Sequence, residues 1–398
     1  MGKNKLLPVL GVVLLTVACT LGGASTPVQG LPAGSALARC GDGVCSGPED
    51  ESNCPGDCPA GAEPLPQPPV VPGDASQVLP GEGNTPPLVF FYAIHTHANG
   101  DFLPYTTPAM SEINPQAAEN MLAAINGIRE VLNRHGVKAT WELVYGTAKW
   151  LCGMEGDILA QLQAEGHEIA THAHQVEDTI TVTEILRQQC GIHPNTASGF
   201  ILYADQAGGA GAQQAVVNAV QLGLDLGFNT GTENLSPGGN KNPFSVLCNQ
   251  QIGVGNDMWA QTGNLMFPWR PDVANGNICA DDPRGEMVFV DHVSIEWTIA
   301  PDGRQSEVLS DSDFARLQAM FEAALAYMET NRPERLAAWG FVTHITEYSP
   351  GGGTSSPPSP QALAALDGFL AYVAEKAAEG RVIFATANEI AEAFRTAP

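Results

Sequence analysis

Positive charge is what this sequence has least of. Only 18 Lys and Arg stand against 43 Asp and Glu, a formal charge of −25 over 398 residues. So acidic a chain offers no basic face for phosphate backbones or anionic bilayers, which excludes nucleic acid as an expected partner. Charged residues of both signs together make up only 15%, while apolar residues reach 44%. That balance excludes disorder throughout and leaves material for a large core. The apolar run Leu6 to Val17 is too short to span a membrane. No EF-hand spacing accompanies Asp42, Glu49, Asp50, Glu51 and Asp57, so solvated acids are the expectation there rather than a calcium loop.

What is present begins with an export signal. Lys3 and Lys5 precede the Leu6 to Val17 run, and Ala18-Cys19 closes it. The small residue before Cys19 resembles a bacterial lipoprotein cleavage site, with Thr16 where that signal usually carries Leu. On this reading residues 1–19 are the signal, cut so that Cys19 becomes the mature N-terminus and carries lipid, the only membrane contact expected; plain secretion is the competing reading. Either way the chain is expected outside the cytosol, in the periplasm, at the cell surface or beyond it, where disulfides persist.

Residues 20–39 read as a tether. Cys40, Cys45, Cys54 and Cys58 then crowd into residues 40–58 with no histidine nearby. Two disulfides suit that density, and a four-thiolate zinc site is the competitor. Residues 59–87, rich in Pro, Gly and small side chains, read as a semi-stiff spacer. Cys152, Cys190, Cys248 and Cys279 are expected to form two further disulfides.

From Leu88 onward, strand-length apolar runs alternate with helical patterns. Asn114-Pro115 opens a helix that Gly136 stops after His135. Strand Val137 to Val144 and helix Asp157 to Glu165 follow, then a strand into His172 and a helix capped at Thr181-x-x-Glu184. Strand Gly199 to Tyr203, helix Gln213 to Leu226 and strand Phe228 to Thr230 continue the rhythm. A Gly-, Asn- and Pro-rich insertion, 234–284, interrupts it before six more elements to the end. Seven or eight strands each followed by a helix imply an α/β fold, a parallel (β/α)7-8 barrel over residues 88–398.

Barrel enzymes place chemistry at the carboxyl ends of strands, and the histidines gather there. His95-Thr96-His97 ends the first strand and His172-Ala173-His174 the third. Side chains two apart on a strand share a face, so each pair presents two imidazoles together. Two such pairs point to a divalent metal, with Zn²⁺ the best match for an imidazole-rich shell.

Several segments together resemble the NodB-like polysaccharide deacetylases, carbohydrate esterase family four. They are Lys138 to Gly146, Glu165 to His172, Phe267-Pro-Trp-Arg270-Pro271, Asp291 to Trp297, Val342-Thr-His344 and Arg381 to Thr386 with Glu389. The resemblance implies a deformed barrel that removes acyl groups, acetyl on nitrogen or oxygen, from a polysaccharide or glycan. Two departures stand out. The family's adjacent aspartates are replaced by His95-Thr96-His97 with Asp101 further on, and His172 and His174 are two apart where the family's histidines are four apart. The metal set is therefore read as His95, His97, His172 and His174. Asp101 is the first candidate base, with Asp291 and Glu142 as rivals; His344 would be the general acid, and Arg270 would orient the base. Trp150, Trp259, Trp269 and Trp297 are candidates for stacking on sugar rings. His95-Thr96-His97 with Asp101 also looks like the opening motif of PHP phosphoesterases and amidohydrolases, and a barrel that binds glycan without turnover is a third reading.

Overall fold

The computed structural model describes residues 86–97, 115–154, 157–173, 176–199, 212–233, 261–295, 308–350 and 355–396. All belong to one compact unit, Leu65–Pro398. The leader, tether, cysteine-rich stretch and residues 59–85 of the spacer lie outside them, as do Asp101, His174, Cys248, Trp259 and Trp297.

Eleven described strands and eight α-helices run β1 (Leu88–His95), α1 (Pro115–His135), β2 (Ala139–Leu143), α2 (Tyr145–Cys152), α3 (Ile158–Ala164), β3 (Glu168–His172), α4 (Val176–Cys190) and β4 (Thr196–Ser198). Next come α5 (Ala212–Asp225), β5 (Thr230–Glu233), β6 (Pro271–Asp272), β7 (Asn277–Asp281), β8 (Val288–Asp291) and β9 (Val293–Ser294). The chain ends with α6 (Asp311–Asn331), β10 (Ala338–His344), a 3-10 turn Ile345–Tyr348, α7 (Pro360–Ala378), β11 (Val382–Phe384) and α8 (Ala387–Thr396).

Every pairing in the main sheet is parallel, in the order β8-β5-β4-β3-β2-β1-β10-β9, with β11 on the lower half of the β1 edge that β2 occupies above. The two ends of that path, β8 and β9, are consecutive pieces of one strand separated by His292, so the sheet closes on itself as the β/α rhythm implies. Below β9 the seam is filled by the segment before β6. Trp269 and Phe289 exchange both backbone hydrogen bonds, at 3.2 and 2.7 Å, and Ala338 N donates to Met266 O at 2.7 Å.

β1 is buried along its whole length, as a strand covered on both faces must be, which is why it reads as a continuous apolar run. Alternate residues divide between two cores. Leu88, Phe90, Tyr92 and Ile94 pack outward under α1, α6 and α7, while Val89, Phe91 and Ala93 meet Val288, Val290, Ala338 and Val342 inside the barrel. Opposite them the interior is polar. Thr232 Oγ1 of β5 donates to Glu142 Oε1 of β2 at 2.5 Å, reaching across between strands that are not neighbours. Lower down, Glu168 accepts from Thr140 Oγ1 at 3.0 Å, from the Thr196 hydroxyl, and from Asn388 N of α8 at 3.1 Å. With Ala387 N donating to Thr140 Oγ1 at 2.9 Å, α8 is fastened beneath the amino ends of the strands.

The inner apolar half leaves no slack at Gly340, where a Cβ would stand 2.3 Å from Phe91 Cδ1. Gly340→Ala must displace a ring locked in the barrel, so a loss of about 1–3 kcal/mol is expected in urea unfolding; an unchanged midpoint would show that Phe91 moves freely.

Three segments differ from the sequence expectation. Helix α4 begins at Val176 rather than at a Thr181 cap, and its added first turn carries the buried Asp178 and Thr179. The fourth strand is Thr196–Ser198, ahead of the predicted Gly199 to Tyr203. Helix α2 has no counterpart in the sequence expectation; it is tied to α4 by a Cys152–Cys190 disulfide. Among the described residues no helix is long and apolar enough to cross a membrane.

Candidate metal centre

Parity places the imidazoles. In β1 the inward residues are Val89, Phe91 and Ala93, so His95 at the strand end continues that face and His97 follows it. His172 ends β3, His344 ends β10, and His292 is the single residue between β8 and β9. All five therefore stand at the carboxyl mouth. His95, His97, His172 and His292 are buried and His344 is half-buried.

The rings of His95 and His172 stack at 3.8 Å between centroids, with His97 5.0 Å from His172. His344 lies 4.9 Å from His95 and 4.8 Å from His97. One ligand atom each from His95, His97 and His172 falls within 4.8 Å of the others. Three imidazoles converging in a buried pocket fit a late first-row divalent ion, for which nitrogen is a preferred donor.

Two of the ring nitrogens face polar side chains, one in a close contact and one in a hydrogen bond. His95 Nε2 lies 2.7 Å from Glu142 Oε2. His172 Nδ1 lies 2.6 Å from Ser198 Oγ, which itself donates to Thr171 O at 3.4 Å and so accepts from the imidazole. That leaves His172 Nε2 as the lone-pair nitrogen. Glu142 is fully enclosed, and burial raises its pKa, outweighing the lowering by the nearby His292. Burial likewise pushes His292 down to about 4, making it a neutral imidazole at neutral pH.

Among the other residues singled out from sequence, Asp291 continues the outward face of β8 that carries Phe289, and its Oδ2 accepts from Leu265 N at 2.5 Å. It holds the seam segment rather than facing the histidines. Arg270 is further removed. The chain runs antiparallel to β8 from Leu265, beside Asp291, through Trp269, beside Phe289, so Arg270 emerges toward the amino ends of the strands. There it clasps Asp281 at 3.3 Å through Nε and Nη2, donates to Pro283 O at 3.0 Å and lies over Phe394 of α8. Nothing in that placement lets it orient a base at the mouth. Trp269 is buried against Phe289 and donates to Ile278 O at 2.8 Å, and Trp150 packs on the outer core, so neither presents a sugar platform.

No family model matches the chain. No curated protein matches its sequence. Solved structures do resemble it in shape. A chain described as a polysaccharide deacetylase from Mycobacterium smegmatis is 15% identical at a TM-score of 0.45, covering 80% of this chain and 93% of that one. Another so described, from Pseudomonas aeruginosa PAO1, is 12% identical at 0.44, covering 77% and 90%. The Puue allantoinase is 14% identical at 0.43, covering 79% and 95%.

The sequence sets His292 at a strand end beside the other histidines without giving it a role, and it does not single out Ser198, Thr232 or Glu347. His292 was within reach, since counting by twos from Val288 and Val290 lands on residue 292 and not 291. The other three are common polar residues whose roles depend on which strands neighbour them.

Proposed function

We propose that this chain is a metal-dependent hydrolase that removes acyl groups, acetyl on nitrogen or oxygen, from a polysaccharide or glycan outside the cytosol, held there by lipid on Cys19. The observation that carries the reading is the convergence of His95, His97 and His172 at the carboxyl mouth of a parallel barrel. The acyl-carbohydrate specificity follows from the motif resemblance of Lys138 to Gly146 and Glu165 to His172.

When bound, a divalent ion of the zinc type polarises an acyl carbonyl and makes water acidic near neutral pH. His95, His97 and His172 would hold it, with His174 as a further donor following β3. Ser198 fixes the ring of His172, and Glu142 lies against His95. Asp101, four residues beyond His97, would take the proton from water and return it to the departing amine or hydroxyl, one carboxylate serving in both directions. Glu142 is poorly placed for proton transfer, since it lies beneath His95, enclosed in the barrel and engaged by Thr232.

The test is acetate release by the full chain from acetylated chitin, xylan and peptidoglycan fragments. Release should cease with a chelator and return with Zn²⁺. Turnover that ignores the chelator overturns the reading. Phosphate release from phosphate monoesters without acetate release would replace it by the phosphoesterase reading that His95-Thr96-His97 also suits.

A further inference from the structure

We propose that Thr147 is a positioning residue of the metal centre: its hydroxyl holds the peptide that leads from Thr96 to His97, and so aims His97 at the shared ion. This rests on the metal-hydrolase reading and adds to it a residue outside the ligand set.

Of the three converging histidines, His97 alone lies beyond the sheet. His95 and His172 end β1 and β3 in register with neighbouring strands, His95 with both His344 and Glu142, His172 with Ser198. His97 comes two residues after β1 has ended. It is buried nonetheless, and its ring stands 5.0 Å from that of His172. Contacts other than strand pairing must therefore fix its backbone.

Those contacts are made at Thr96, which is fully buried. Its N–H donates to Glu142 O at 3.1 Å and its hydroxyl to the same oxygen at 3.3 Å. Its carbonyl accepts the Thr147 hydroxyl at 2.6 Å. Met121 Sδ lies 3.8 Å from that hydroxyl, a longer and weaker alternative, so the single proton goes to the carbonyl. The Thr96 carbonyl shares one plane with the nitrogen and Cα of His97. Holding the carbonyl therefore sets where the next Cα stands, and with it where the imidazole can reach.

Thr147 can serve as a fixed point because its helix is fixed. It sits in the first turn of α2, buried between the buried Gly146 and Ala148. Ala148 N donates to Val144 O at 2.8 Å, and the far end of the helix is tied to α4 through Cys152 and Cys190. One residue separates β2 from α2, so the strand that carries Glu142 and the helix that carries Thr147 are one piece of chain gripping Thr96 from both sides. Valine would fill the same space and leave the buried carbonyl without this donor.

An ion makes that grip matter beyond stability, because ligand distances in a metal site hold to about 0.2 Å. A carbonyl released from Thr147 can rotate. Any rotation that carries His97 out of that window costs affinity while every strand stays paired.

The experiment is metal binding, measured apart from turnover. Zn²⁺ affinity of the metal-stripped full chain is taken by competition with a chromophoric chelator, and Co²⁺ is loaded to saturation as a spectroscopic probe. Thr147→Val should weaken Zn²⁺ binding roughly tenfold or more, as loss of an outer partner does, and should alter the Co²⁺ visible spectrum. Thr147→Ser, which keeps the hydroxyl, should restore both. Metal-free melting is recorded alongside, since a residue that only packs the helix would lower melting and leave affinity and spectrum alone. If Thr147→Val binds as the parent does with the parent's spectrum, or if the serine variant loses as much as the valine variant, the proposal is overturned and the three-histidine centre stands. If the parent binds neither ion, the metal-hydrolase reading falls and the proposal with it. Should Thr147→Val not fold, Thr147→Ala removes the same hydroxyl without added bulk and is read by the same criteria.

Discussion

His172→Ala will abolish stoichiometric zinc uptake. The ring is the hub of the centre: it stacks on His95 at 3.8 Å and reaches His97 at 5.0 Å. Its Nδ1 is already taken by Ser198, so its remaining nitrogen faces the shared position and no neighbour can stand in for it. Deleting a ligand must cost more than deleting an outer partner, hence a drop beyond about 100-fold in affinity. Stability supplies a second readout. A ligand that binds only the native chain raises unfolding free energy by about 2.7 kcal/mol at roughly 100 times its dissociation constant. The parent should gain such an increment on adding Zn²⁺, and His172→Ala should gain none. The apo variant will itself be weaker by about 1–3 kcal/mol, because Ser198 is left without its buried partner. Retention of one zinc per chain would remove His172 from the centre.

The second large effect is at the other end of the barrel. Glu168 gathers donors from β2, β4 and α8, and its replacement by Ala strands all three at once. With about 1–3 kcal/mol for each buried group left unsatisfied, a total near ~3 kcal/mol or more is expected in urea unfolding. Glu168→Gln keeps the shape and removes the charge. Burial holds the Glu168 carboxyl up at about 7, against the lowering by Thr196, Asn388 and Thr140. The folded state therefore keeps a proton that the unfolded chain releases near 4.5. That stabilisation is complete below about 4.5 and disappears as pH rises through about 7. At about 1.36 kcal/mol per tenfold change in proton affinity, that would be about 3 kcal/mol, less what solvent screens from a half-buried residue. The parent should thus lose stability relative to Glu168→Gln between about pH 4.5 and 7. Parallel pH profiles for the two would show that the site does not bind the proton. Profiles of the parent alone do not isolate this, because His167, buried and lowered to about 4, works in the opposite sense over much of that range.

The β/α rhythm was legible because parallel strands covered on both faces are written as unbroken apolar runs. Pro115 at a helix start and Gly136 at its end punctuate the chain where the structure turns. The histidine pair of β1 was legible through strand parity alone. Arg270 was not: its neighbours in sequence match a motif, but its position follows from the direction in which residues 265–269 run along β8, an antiparallel pairing no local pattern announces. Asp291 and His292 differ by one residue, and one residue exchanges inside for outside. Glu142 stood out as a lone acid within an apolar strand, yet what it does depends on Thr232, far along the chain and across the barrel.

The closing of the sheet through His292 has an implication for association. In an open sheet the outermost strands expose rows of amides on which a foreign strand can dock. Here, among the described residues, the first and last members of the path are a single stretch of chain, so that rim gives an incoming strand no template. The same residue that joins them points an imidazole toward the other histidines, so any slippage that created such a template would also pull the centre apart.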